Sequence, residues 1–124
     1  MELESDDVLD PRALGTLEGL GGPELVVEMI DLFLLHGTAR VETALEAERQ
    51  GDLDGICGAA HSLSSTAGTL GARALQKVAV DIEALTYEGH QGDVASISPL
   101  MRELERRFAE TCSALEARKT RLVG

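Results

Sequence analysis

Apolar residues recur every three or four positions along most of the chain, the period of an amphipathic helix, and no stretch alternates as a half-buried strand does. The clearest series is Val26, Ile30, Phe33, Gly37, Val41, Ala44 and Leu45, and it gives out at Glu48. Pro23 and Glu24 suit a first helical turn, where a missing amide costs nothing and an acid meets the positive end of the dipole. With Gly51 as a C-terminal stop, the spacing predicts a helix over 23–50. A short helix over 10–19 precedes it, opened by Asp10-Pro11, carrying Leu14 and Leu17, and closed by Gly19, Gly21 and Gly22. Asp52 caps a third helix over 52–70, with Leu53, Ile56, Cys57, Ala60, Leu63, Ala67 and Leu70 toward the core and Gly71 at its end. A fourth, over 72–88, presents Leu75, Val78, Ile82 and Leu85. After Gly89 and Gly92, Ser98-Pro99 opens a fifth that runs to residue 120, with Leu100, Met101, Leu104, Phe108, Cys112 and Leu115 on one face. Glu103 and Arg107 form an exposed pair one turn apart.

Turns as short as those at Gly51 and Gly71 make consecutive helices antiparallel neighbours. The expected fold is therefore all-α: an antiparallel up-down four-helix bundle with a short extra N-terminal helix. It occupies 10–120 as one domain behind an acidic tail over 1–9. With Phe33, Tyr87 and Phe108 as the aromatics, the core must be aliphatic.

Charge narrows the function. The 22 acidic and 11 basic side chains leave a net charge of −11, which argues against a nucleic-acid partner. No run of apolar residues is long enough to span a membrane. The acidic start, with Glu2, Glu4, Asp6 and Asp7, lacks the basic and apolar parts of a secretory signal. Cys57 and Cys112 make no disulfide framework, so a reducing cytoplasm is expected. No glycine-rich phosphate loop is present, and neither a nucleotide nor another cofactor is expected.

Among His36, His61 and His90, His61 stands out. It lies roughly 120° from the centre of its helix's core stripe, on the solvent edge. Its neighbours along that edge are Gly58, Ser65 and Gly68, all small. Glycine in a helix interior costs about 1 kcal/mol relative to alanine, so two of them beside an exposed imidazole call for a reason. Close approach of a partner is one; close packing of helices is the other. The window from Gly55 to Val80 also contains no acid, and Arg73 and Lys77 are its full charges. An anion would be tolerated there. Cys57 and His61 lie one turn apart, but no further metal ligands accompany them, and Cys57 is expected in the core. His90 reads as plain surface.

The run from Ala60 to Ala72, with His61, Leu63, Ala67, Leu70 and Gly71, resembles the signature of histidine-containing phosphotransfer (HPt) domains, roughly His-x-Leu-Lys-Gly-x-Ala-x-x-Leu-Gly. Leu75, Ile82-Glu83, Phe33, Leu45 and Gly51-Asp52 also fall in register, so the resemblance covers about residues 8–116. It implies a four-helix bundle with the phosphoaccepting histidine on the third of the five helices. Two positions depart from the pattern: Ser64 stands where the family has lysine, and Ser65 where it has glycine. Three arrangements are compatible with the missing lysine. Transfer proceeds more slowly; Arg73 or Lys77 supplies the charge from the next helix; or the domain docks a partner without being phosphorylated.

The resemblance further implies a phosphocarrier of a multistep two-component phosphorelay rather than an autonomous enzyme. Neutral His61 would attack a receiver's phospho-aspartate, and the receiver would supply the metal ion. Ser64, Ser65, Arg73 and Lys77 are the candidates for contacting the phosphoryl group. Partners would be response-regulator receivers, including one fused to a hybrid sensor kinase, and the bundle would be a monomer. A second apolar stripe, Leu25, Met29, Leu32 and His36, is either covered by Leu14 and Leu17 or open to a receiver's helix. Leu32, His36, Gly58, Ser65 and Gly68 are the expected docking residues.

Overall fold

Capping chemistry sets the frame. Asp10 accepts a hydrogen bond from the Arg12 amide at 3.0 Å, and Pro11 takes the first helical position. In a computed structural model describing residues 8–87 and 93–123, this opens α1, Pro11–Gln50. Three more helices follow: α2 (Leu53–Leu70), α3 (Arg73–Thr86) and α4 (Val94–Val123). No strand occurs among the described residues. The acidic residues of 1–7, and His90 with Gly89 and Gly92, lie outside them.

α1 is bent rather than broken. The stop expected at three glycines is made by Gly22 alone, with φ 77° and ψ −178°, a conformation that only glycine occupies cheaply. Gly19 and Gly21 stay helical, so the helices expected over 10–19 and 23–50 form one stretch bent just before Pro23. Asp52 caps α2 by accepting from the Gly55 amide at 3.0 Å. Gly71 ends α2 with φ 76°, and its two-residue connection folds α3 back. α4 begins at Val94, four residues before the expected Ser98, because Asp93 accepts from the Ser96 amide at 3.0 Å and caps it there. Pro99 therefore sits inside the helix, and Ile97 is buried.

α1 packs on α2 and α4, and α3 on the same two helices. The core is aliphatic, with Ile30, Ile56, Leu63, Ile82, Met101, Leu104 and Leu115 fully enclosed. Its one ring pair, Phe33–Phe108, has centroids 5.7 Å apart. The ring of Phe108 lies over Gly37, where an added Cβ would sit 2.9 Å from Cε1. Several expectations shift by a position. Leu9, assigned to the acidic tail, is buried in the core, and Val8 packs against it. Leu85 is partly exposed while Thr86 is buried, its hydroxyl donating to the Ile82 carbonyl at 2.7 Å. Leu45, Leu53, Cys57, Phe108 and Cys112 are half-buried.

Asp10 ties the chain's start to the α2–α3 turn. Its amide donates to the Gly71 carbonyl at 2.9 Å, and its carboxylate receives Arg12 and, at 2.5 Å, Arg73. The Arg12 side chain is the largest cause holding this carboxyl down to about 2, with the Arg12 amide and the charge of Arg73 adding to it. A side chain at Gly71 would collide with Ala13 and with the Asp10 carbonyl, so this glycine serves both the turn and the packing over it.

Candidate functional site

His61 projects from the middle of α2 with its side chain 68% exposed. The acid-free window in sequence is not acid-free in space, because the Gly71 turn brings Glu83 of α3 level with His61. Glu83 Oε2 lies 2.7 Å from Nδ1. An ionised carboxylate only accepts, so this contact places the ring proton on Nδ1 and leaves the Nε2 lone pair free. On the same side of α2, Cys57 Sγ lies 3.8 Å from the Glu83 carbonyl. Glu83 falls in register with the family pattern, but nothing in the sequence alone marks it as a site residue. The signal that finds it is the turn: a hairpin centred on Gly71-Ala72 puts residues 61 and 83 side by side.

The small residues beside His61 divide into two kinds. A Cβ added at Gly58 would meet nothing within 4 Å, so the helix surface there is open. Ser65 is exposed on the same face. Gly68, by contrast, lies under the amide of Gln76, whose Nε2 would be 2.6 Å from an added Cβ.

Three of the four candidates for contacting a phosphoryl group are engaged by other partners. Ser64 is buried, and its hydroxyl donates back to the His61 carbonyl at 2.8 Å. Ser65 remains on the exposed face. Arg73 is held by Asp10, and Lys77 by Asp81 at 3.1 Å. Arg73 sits ten residues from Glu83 along α3, about 15 Å of helix, which puts it at the far end of that helix from His61.

On the other side of α2 runs a cleft of about 230 Å³ between α1 and α2. Met29, Phe33 and Leu70 give it an apolar floor, while Leu32, His36, Arg40, Ser62 and Thr66 stand at its edge. The second stripe of α1 is thus partly covered: Leu25 and Met29 are half-buried, whereas Leu32 and His36 remain exposed. Leu32 and His36 of this lining are among the expected docking residues, and Arg40 and Thr66 are not.

No group of three or more His, Cys, Asp or Glu side chains placed to hold a metal ion occurs among the described residues. No helix among them is long and apolar enough to cross a membrane. The family profile described as the Hpt domain matches residues 28–118. A crystal structure of histidine-containing phosphotransfer protein B (HptB) from Pseudomonas aeruginosa PAO1 superposes with a TM-score of 0.80 at 24% identity. The match covers 92% of this chain and 96% of that one. No curated protein matched. A profile match across most of the chain, on a four-helix frame with an exposed histidine beside a carboxylate, places this protein in the Hpt domain family of histidine phosphotransfer proteins.

Proposed function

We propose that His61 is the phosphoacceptor of this Hpt domain, and that it exchanges the phosphoryl group with the aspartate of receiver domains. The observation that carries this reading is the His61–Glu83 contact on an otherwise open helix face. It supplies an exposed nucleophile in a defined tautomer. In the forward step Nε2 forms the N–P bond as the P–O bond of the receiver's aspartyl phosphate breaks, and the receiver's carboxylate leaves with the electron pair. The ring then carries a positive charge with its proton still on Nδ1, facing the Glu83 carboxylate. Glu83 therefore acts as a positioning residue that also stabilises the charge developing on the ring. The receiver brings the metal ion and most of the transition-state stabilisation.

Docking follows the open surface. Gly58 and Ser65 let a receiver approach the α2 backbone, while Leu32 and His36 offer an edge of the neighbouring cleft. The bundle is read as antiparallel and up-down, with the segment before Gly22 acting as a short separate helix across it. It works as a monomeric, cytoplasmic carrier between receivers, one of them fused to a hybrid sensor kinase.

The test is transfer of label from phosphorylated receivers to the intact chain and to His61→Ala. Acid-labile, alkali-stable label on the wild type and none on the variant is the expected outcome. Label that survives in His61→Ala would move the acceptor elsewhere. Binding without label in either protein would leave a docking module only.

A further inference from the structure

The phosphoryl group that His61 would carry adds negative charge to a protein already at −11, next to Glu83. The basic residues expected to offset it are committed elsewhere: Arg73 to Asp10 and Lys77 to Asp81. Arg40 is not. It is exposed on α1, forms no ion pair with a described carboxylate, and has His36, Gly37, Thr43 and Ala44 as its neighbours three and four residues away. Most other cations of the chain have an acid at such a distance, as Arg49 has Glu46 and Arg107 has Glu103. Arg40 also lies beside the helix that carries His61. It lines the α1–α2 cleft together with Ser62, the residue that follows His61. Packed helices lie about 8–10 Å apart, a gap that an arginine on one can cross to the exposed face of the next.

Resting on the reading of His61 as acceptor, we propose that Arg40 is the cation of the site: its guanidinium swings over Ser62 to the phosphoryl oxygens on His61 Nε2. Glu83 on α3 and Arg40 on α1 then flank the imidazole from opposite sides, one holding the ring proton and the other meeting the phosphoryl charge. An arginine fork suits phosphate oxygens better than a serine hydroxyl does, and it reaches from a helix that the sequence signature does not include. This explains how a lysine can be absent at position 64, where the side chain is buried and turned back on its own helix.

The test loads the intact chain with phosphoramidate, a small donor that modifies histidine without a receiver, and follows the imidazole and arginine side-chain resonances by NMR. His61→Gln identifies the His61 signals. Phosphorylation of the wild type should shift the Arg40 Nε resonance. In Arg40→Gln the phosphoryl group should bind its last proton about two- to fivefold more tightly, because a nearby cation favours the dianion. Arg40→Lys should recover part of the effect. Equal proton affinity in wild type and Arg40→Gln, with His61 phosphorylated in both, would overturn the proposal. So would an Arg40→Gln protein that loses only receiver-driven transfer, since Arg40 would then meet the receiver. Failure to phosphorylate His61 in the wild type, by phosphoramidate and by receivers alike, would sink the acceptor reading itself, and the role of Arg40 with it.

Discussion

Replacing Gly58 with alanine should make the protein more stable and less useful. Gly58 lies in the interior of α2, one turn before His61, and an added Cβ there meets nothing within 4 Å. No packing term opposes the change, so the helix-propensity difference acts alone, about 0.8–1.0 kcal/mol in favour of alanine. For a chain of this size that raises the melting temperature by about 3–5 °C. Gly37 provides the opposite sign by the same reasoning. A Cβ there comes within 2.9 Å of the Phe108 ring, inside a packed core. Overpacking of about 1–3 kcal/mol outweighs the propensity gain, and Gly37→Ala should melt lower than the wild type. Paired thermal melts of the two variants give the stabilities, and receiver-driven labelling of His61 gives the function. If Gly58 is kept so that a partner can approach the helix, Gly58→Ala transfers several-fold more slowly despite its higher melting point. A Gly58→Ala protein that gains no stability would refute the open-space argument. One that gains stability and transfers at the wild-type rate would remove the functional reason for the glycine.

Glu83→Gln keeps a hydrogen-bond acceptor for Nδ1–H but removes the charge, so it should slow transfer to His61 about tenfold, the difference between a charge-assisted and a neutral contact. An unchanged single-turnover rate would count against the positioning role. Asp10 bears on acid stability: its carboxyl is held at about 2 against an ordinary 3.8, chiefly by the Arg12 side chain. A depressed folded-state value stabilises the fold above the ordinary value and loses that effect as pH falls toward the lower one. Wild type should therefore melt above Asp10→Asn at neutral pH, with the gap closing between about pH 4 and pH 2. A gap that is constant across this range would mean that Asp10 acts through packing alone.

The helices were legible because their boundaries are local chemistry. Asp10, Gly51, Asp52 and Gly71 act on the four or five residues beside them, and a sequence read in order exposes such effects. The missed start of α4 is a case of competing local signals: Asp93 caps five residues before Ser98-Pro99, and the proline is carried inside the helix. Glycines mislead in the same way at Gly19 and Gly21, which stay helical although Gly22 does not. The site was half legible. His61 shows itself by its place on the solvent edge of its own helix. Glu83 reaches it through a contact between helices, Arg40 nears it only across the α1–α2 cleft, and a sequence window cannot see either. The acid-free stretch around His61 failed as an electrostatic argument for the same reason, since the nearest carboxylate arrives from 22 residues away.

The connections after α1 and α2 have a consequence for how information leaves this molecule. Each is two residues long, and the second is pinned by the Asp10 amide on the Gly71 carbonyl. α2 has no slack in which to slide or rotate, and a shape-changing switch needs an element with two packings to choose between. The bundle is therefore a token holder rather than a lever. On the proposed mechanism its loaded and empty states would differ in the group on one nitrogen and the side chain that meets it, not in helix packing, and a reader must sense that charge at the face where it was written.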